Sequence, residues 1–489
     1  MPLSGGEGFV KVHHTGGARF VWGIVLTMAV AGIPASVHAE DGTASAARVR
    51  PLNILLIVAD DLREHGGAFA EDAVSTPNID RLAAHGVRFS RAYAQYPVCN
   101  PSRTSLLVGQ RCEQTAVVDN REFFRDRLPD AITFPELLRR NGWTTRSFGK
   151  VMHAGNTVEA LRPAWLDEGR SWDHAEILPA MSPHRRGEFR NLTGGVLPWC
   201  EVGILDGDDG EQPDARTATA AVAAIEDLRK DSRPWLIAVG FHRPHDPFHA
   251  PRRYFDRYPS EAITPYRDPV HASPLPPLAI TGSRKEFAAF SDDDRRALLQ
   301  AYCAGVSFMD AQVGRLLDAL DRNSLWPTTL VVFLGDHGYH LGERDWWNKA
   351  TLFERSCRAP LIIASPDGRH GARCEALVEF VDLFPTITEC GGVRLPGGLA
   401  GKSICPLLAD PSLPHKDAAF SMVVRNPSRF GQTVRTDRWR LIAWSDGALE
   451  LYDHQTDPEE TLNLAGDPAA AEVVKRLRRR LDDLPPWPP

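Results

Sequence analysis

The feature that most constrains this chain is a series of apolar runs, each short and uninterrupted, that break abruptly into charged or imidazole-bearing residues. Asn53-Ile54-Leu55-Leu56-Ile57-Val58-Ala59 ends in Asp60-Asp61, and Trp235–Val239 leads into Phe241-His242-Arg243-Pro244-His245. Thr329–Leu334 ends in Gly335-Asp336-His337-Gly338, and a further segment closes on Gly149-Lys150-Val151-Met152-His153. A strand that is apolar on both faces must be covered on both faces, which is the pattern of a parallel sheet buried between helices. In such open sheets ligands collect beyond the carboxyl ends of the strands, so four separated polar segments are expected to converge on one pocket.

Helical patterns alternate with these strands, as in βαβ units. Thr76-Pro77 supplies a cap residue and a proline suited to the first turn, followed by Ile79, Leu82 and Ala83 on one face. Thr133-Phe134-Pro135-Glu136 has capping-box spacing, and Asn141-Gly142 supplies the stop. Leu298, Leu299, Tyr302, Val306, Met309, Val313, Leu316, Leu317 and Leu320 mark a long amphipathic helix. The expected fold class is therefore α/β, a mainly parallel sheet sandwiched by helices. The stretches 163–213 and 254–284, rich in Gly and Pro, read as long loops of the kind that shape substrate sites.

After about Gly391 the texture changes. Residues 432–436, 439–444 and 449–453 read as short antiparallel strands, with turns at Asp437-Arg438 and Asp446-Gly447, and 469–484 as a charged helix. This predicts a smaller C-terminal α+β subdomain over 391–489, following a main domain over 40–390.

The N-terminus reads as a targeting segment: Lys11 and Arg19 precede the apolar run Phe20–Ala31, and Val37-His38-Ala39 offers a cleavage site. Residues 1–39 are expected to be a signal peptide, with an uncleaved membrane anchor as the alternative. Nothing downstream is long enough to span a bilayer, so no stable membrane span remains after cleavage. The protein is expected to be exported, to a periplasmic, extracellular or lysosome-like compartment. Across the 489 residues a formal net charge of -7 argues against nucleic acid as a partner, though local basic residues can still bind an anion. Eight scattered cysteines with no C-x-x-C pair fit neither a disulfide-stapled mini-domain nor a thiolate zinc site, and several are expected to be buried free thiols.

The polar segments suggest chemistry. Asp60, Asp61 and Asp336 supply the oxygens that a hard cation such as calcium or magnesium requires, and His337 adds an imidazole. So few nitrogen or sulfur ligands make zinc a poorer fit. Arg103, Lys150, His242 and Lys349 are candidate anion-binding cations, and His245 a candidate substrate contact.

These segments, with Cys99-Asn100-Pro101-Ser102-Arg103, resemble the type I sulfatases. The C-x-P-S-R run is that family's signature, and Asp60-Asp61, Gly149-Lys150 with His153, His242, Gly335-Asp336-His337-Gly338 and Lys349 follow in the family's order. Leu451-Tyr452-Asp453 through Glu460 is similar to its C-terminal hairpin. Within the family the chain is most similar to the iduronate-2-sulfatase group, through Gly149–His153, Gly240–His245 and Val313–Leu317. The resemblance implies an alkaline-phosphatase-like fold and hydrolysis of a sulfate ester, with a sulfated uronic acid or related glycan as substrate.

It further implies a bound Ca²⁺, with Mg²⁺ as the alternative, held by Asp60, Asp61, Cys99, Asp336 and His337. Cys99 would be oxidised to formylglycine by a formylglycine-generating maturation enzyme. Asp336 or its neighbourhood would then activate the nucleophile, His153 would serve the second step, and His242 or Lys349 would protonate the leaving alcohol. Two other readings compete: a phosphonate monoester or phosphodiester hydrolase of the same superfamily, and a non-catalytic glycan-binding protein that keeps Cys99 unconverted.

Overall fold

A computed structural model describes residues 51–64, 74–153, 163–181 and 185–487. The N-terminal apolar run and its cleavage site lie outside the described residues. An eight-stranded sheet is built from β1 (Asn53–Asp60), β2 (Val87–Phe89), β3 (Thr144–Gly149), β4 (His174–Glu176), β5 (Trp235–Pro244), β6 (Thr329–Gly335), β7 (Leu361–Ala364) and β8 (Ala372–Cys374). The spatial order is β8-β2-β7-β6-β1-β5-β3-β4. Neighbours from β6 through β4 run parallel; β7 is antiparallel to both β6 and β2.

Side-chain alternation along each strand divides the core in two. Leu55, Ile57, Ile237, Val239, Val331 and Phe333 face one cluster, while Ile54, Leu56, Leu236, Ala238, Leu330 and Val332 face the other. The first is covered by α1 (Pro77–Ala84), α4 (Pro213–Leu228) and the 31-residue α5 (Asp292–Arg322). The second is covered by α2 (Cys99–Val108), α3 (Phe134–Arg140) and α6 (Leu383–Cys390). Apolar residues on both faces of β1, β5 and β6 thus require helices on both sides, as the sequence pattern predicts.

Of the two helix starts expected from sequence, that at Thr133 is capped by its side chain, whereas Thr76 makes no side-chain cap bond and Asp310 accepts from the amides of Asn78 and Ile79 instead. Thr133 Oγ1 accepts from Glu136 N at 3.1 Å, and Ser291 and Asp294 close a reciprocal capping box at the start of α5. The stretch 163–213, expected to be irregular, instead contains β4 and two strands of a small sheet, Gly187–Asn191 and Glu201–Leu205, which pair with each other and with Phe248–Pro251. Glu188 and Arg190 are exposed, so the first of these strands lacks the apolar alternation that betrays a strand; backbone pairing holds it, with Phe189 edge-on to His249 and ion pairs joining Glu188 to Arg252 and Arg190 to Asp294. Residues 254–284 are largely irregular, as expected.

The C-terminal sheet has four antiparallel strands, β9 (Ala419–Asn426), β10 (Arg429–Arg435), β11 (Trp439–Trp444) and β12 (Leu449–Asp453). One face, through Val434, Leu441 and Leu451, packs under α7 (Ala471–Asp482). The other, through Met422, Ile442 and Tyr452, joins the main core. Val393, Ile404, Leu407 and Leu408 also belong to the main core. No helix among the described residues is long and apolar enough to cross a membrane.

Two glycines let the ends of β3 and β5 approach. Gly149 (φ +72°) pairs with Gly240, and a Cβ built on Gly240 would sit 2.0 Å from the carbonyl of Lys150. Gly240→Ala is therefore expected to displace the Lys150 main chain and to destabilise the protein by about 3 kcal/mol or more. Thermal unfolding of the purified variant checks this; a midpoint equal to that of the wild type would refute the close approach.

Candidate active site

The carboxyl ends of β1, β3, β5 and β6 meet the first turn of α2. The two aspartates at the β1 end diverge because the strand stops there. Asp60 ends the strand, while Asp61 takes a left-handed conformation (φ 60°) and turns the chain. That strained residue is held from two sides: its amide donates to Asp336 Oδ1 at 3.0 Å, and its carbonyl accepts from Tyr302 Oη at 2.7 Å. Tyr302 in turn accepts from Arg63 N at 3.0 Å.

Cys99 is the first residue of α2. It is wholly buried, with Sγ 3.3 Å from Lys349 Nζ and 4.0 Å from Asp61 Oδ1. Arg103, one turn on, is 3% exposed and donates to Asp60 Oδ1 and Asp336 Oδ2, each at 2.9 Å, and to the carbonyls of Lys150 and Val151. Lys150 pairs with Asp60, and Lys349 with Asp61. Burial alone would favour neutral carboxyls, yet Lys150, His245 and Arg103 hold Asp60 well below the usual carboxylate range. In Asp61, by contrast, burial outweighs Lys349 and pushes the carboxyl up to about 7.

His337 is fully buried, and its Nδ1 lies 2.9 Å from the Gly338 carbonyl, so Nδ1 carries the donated proton. Nε2 then points at Asp61 Oδ1 (3.4 Å) and Asp336 Oδ1 (3.6 Å) with no hydrogen-bond partner of its own, and Asp61 Oδ2 is also buried without one. Burial disfavours the imidazolium, but Asp336, Cys99 and Asp61 raise this group to about 9. The carboxylates that stabilise positive charge on this ring would equally hold a hard cation, with Nε2 giving up its proton to join their oxygens as a ligand. Ligand atoms of Asp60, Asp61, Cys99 and His245 lie within 4.8 Å of one another, as do those of Cys99, Asp336 and His337. The residues present therefore fit a Ca²⁺ or Mg²⁺ ion.

The histidines divide by surroundings. His245 Nε2 is 3.8 Å from both Asp60 and Asp61, while Nδ1 donates to the Asp246 carbonyl at 2.7 Å. Its position places it among the metal-facing groups as much as toward a substrate. His242 is braced from behind, with Asp214 accepting from the amides of His242 and Arg243, both at 2.9 Å. Its Nε2 is 2.9 Å from the Leu178 carbonyl, and burial, reinforced by Lys150, lowers it to about 4. His153 is lowered to about 3 by burial and by Lys150, and its Nδ1 is buried without a partner.

Every residue singled out from sequence is thus gathered at this end of the sheet. Three were missed. Tyr302 sits mid-helix and read simply as part of its apolar face; Asp214 follows Pro213 at the start of α4 and drew no reading from sequence. Asp246 borders His245, and burial, with Asp61 nearby and against the pull of Lys349, raises its carboxyl to about 7. Only its adjacency to His245 could have flagged it. A cavity of about 900 Å³ lies elsewhere, between the β8 edge and the C-terminal sheet, and is lined by none of these residues.

The sulfatase family model matches residues 52–393, and that of the N-sulphoglucosamine sulphohydrolase C-terminal region matches residues 342–485. Iduronate 2-sulfatase of Homo sapiens is 33% identical over 426 residues, covering 78% of this chain and 75% of that protein. Among solved structures, a phosphonate monoester hydrolase from Silicibacter pomeroyi superposes with a TM-score of 0.74 at 25% identity, covering 88% of this chain and 94% of its own. A structure solved with its substrate D-glucosamine-2-N,6-O-disulfate gives a TM-score of 0.71 at 22% identity, covering 88% of this chain and 97% of that one.

Tyr302→Phe removes the hydroxyl that both accepts from Arg63 and donates to Asp61. It is expected to cost about 1–3 kcal/mol of stability, read as a lowered unfolding midpoint; an unchanged midpoint would show that the strained turn at Asp61 does not need this support.

Proposed function

Since the chain belongs to the sulfatase family, and is on that ground a sulfuric ester hydrolase, we propose that Cys99 is its nucleophile position and a sulfated uronic acid or related glycan its substrate. The observation that carries this reading is the setting of Cys99: buried at a helix N-terminus, 3.3 Å from the Lys349 ammonium and beside Asp61. Oxidised to formylglycine, this position would supply a hydrated aldehyde as nucleophile, which an ordinary side chain does not offer. A Ca²⁺ or Mg²⁺ ion held by Asp60, Asp61, Asp336 and His337 would polarise the sulfuryl oxygens.

The chain's own residues do the rest. Lys150 and Lys349, both held protonated by neighbouring carboxylates, with burial opposing, provide fixed positive charge for a sulfate group. Arg103 spends its guanidinium on Asp60 and Asp336, so it orients the acids rather than the substrate. Lys349 lies close enough to Cys99 to deliver a proton to a departing alcohol, and the His242 ring, lowered to about 4 chiefly by burial, is neutral at neutral pH. His153, with an unpartnered Nδ1, is suited to take a proton in the second step. His245 holds the edge of the cluster.

The 33% identity to a human iduronate 2-sulfatase supports the uronate reading, and the phosphonate hydrolase neighbour supports a second one, since the same cation-rich pocket suits either anion. We place the protein in an exported compartment on the N-terminal segment, with residues 40–390 as the catalytic domain and 391–489 as the C-terminal subdomain.

Cys99→Ala is expected to lower turnover of an aryl sulfate by at least about 10³-fold with an unchanged far-UV spectrum; residual activity near wild type would sink the assignment. Mass spectrometry of the Cys99 peptide from the native host is expected to find formylglycine, and a wholly unmodified thiol would favour the glycan-binding reading. Chelation should abolish activity without unfolding, with recovery on adding Ca²⁺ or Mg²⁺. Sulfated uronate disaccharides should outperform aryl phosphonates in kcat/KM; the reverse order would select the phosphonate hydrolase.

A further inference from the structure

Cys390 ends α6, and Cys405 begins the next helix, Cys405–Ala409. Their Sγ atoms are 2.8 Å apart, inside the roughly 3.5–4.0 Å at which unbonded heavy atoms settle. We propose that Cys390 and Cys405 form a disulfide that closes the loop 391–404 and braces the far end of the helix carrying Cys99. This inference stands independently of the reaction assigned to the active site.

The loop is not a free surface excursion. Ala400 N donates to the Gly109 carbonyl at 2.8 Å, Lys402 N to Asp382 Oδ1 at 2.7 Å, and Ile404 N to Thr386 Oγ1 at 3.0 Å. Gly109 is the left-handed C-cap of α2 (φ 67°), and a Cβ there would meet Leu399 at 2.8 Å and Phe384 at 3.1 Å. Residues 399–404 therefore seal the end of α2 opposite Cys99, and a covalent tie between the two ends of the loop limits how far that seal can open. Closing a loop of this length chiefly constrains the unfolded chain.

The step needs an oxidant, and a disulfide of a thiol–disulfide oxidoreductase or of glutathione supplies it. A hydrogen bond from Cys390 holds the Cys405 thiol below the usual cysteine range, against burial, so Cys405 is the attacking sulfur. Its thiolate forms a mixed disulfide and releases one thiolate from the oxidant. Cys390, losing its proton, then attacks the Cys405 sulfur and releases the second. Two protein thiols are oxidised and one disulfide is reduced to two thiols.

The full chain, equilibrated with excess oxidised over reduced glutathione, alkylated and digested with trypsin without reduction, tests the bond. Arg394 and Lys402 separate the two cysteines, so the peptide Cys374–Arg394 and the one beginning at Ser403 should run as a single species split by a phosphine, two hydrogens lighter than their sum with Cys374 alkylated, and fragmentation should place the link at Cys390. Phosphine should also lower the wild-type melting midpoint by about 4 °C, to that of the Cys390→Ser/Cys405→Ser variant, which should not respond. Alkylation of both cysteines as free thiols, or linkage of either to a different cysteine, would overturn the disulfide. A wild-type midpoint insensitive to phosphine would overturn the bracing.

Discussion

The site depends first on one buried guanidinium. Arg103 joins Asp60 at the end of β1 to Asp336 at the end of β6, and caps the carbonyls that follow β3. Three strand ends are thereby tied to the helix that presents Cys99. Burying such charges is costly, and removing one partner of a buried pair typically costs about 3–5 kcal/mol because the other is left uncompensated. The cluster is stable only as a set. Arg103, Lys150 and Lys349 balance Asp60, Asp61 and Asp336, so a divalent cation added to these six would tip the pocket positive, the sign an anionic ester requires.

A second buried network holds the approach to this pocket. Glu354 accepts from Tyr93 Oη at 3.0 Å and pairs with Arg435 and Arg440 of the C-terminal sheet, while Arg440 Nε also reaches Glu460 Oε1 at 2.5 Å. Glu354 lies five residues beyond Lys349, so the C-terminal hairpin anchors the segment that delivers that lysine. Glu354, His454 and Glu460 have metal-like spacing, but two arginines already neutralise their carboxylates. The C-terminal sheet is thus part of the catalytic architecture, and its inner face shares the main core.

Much of this was legible because burial on both faces of a strand leaves a signature in composition. β1, β5 and β6, the apolar face of α5, and the three last strands can be read from apolar runs and turn residues. The small sheet at Gly187–Asn191 and Glu201–Leu205 and the strand β9 were not, because backbone pairing with neighbouring strands, rather than a clear apolar pattern of their own, defines them. Likewise Tyr302 carries a helical apolar pattern that says nothing of its hydroxyl, and Asp214 carries a first-turn position that says nothing of the two amides it holds.

By resemblance the sequence marked Cys99 in its C-x-P-S-R context and Lys349, and by itself it determined the rest of the chemistry available: three aspartates, Lys150 and four histidines at or just beyond the ends of buried strands. Those identities follow from local pattern, since a strand apolar on both faces can place polar groups only at its ends. Only the tertiary structure decided their division of labour. It turned Arg103 inward to the acids, left His337 Nε2 and Asp61 Oδ2 each buried without a hydrogen-bond partner, set Lys349 against Cys99 from 250 residues away, and brought Cys390 to Cys405. Those outcomes depend on distances between segments remote in sequence, which no local pattern encodes.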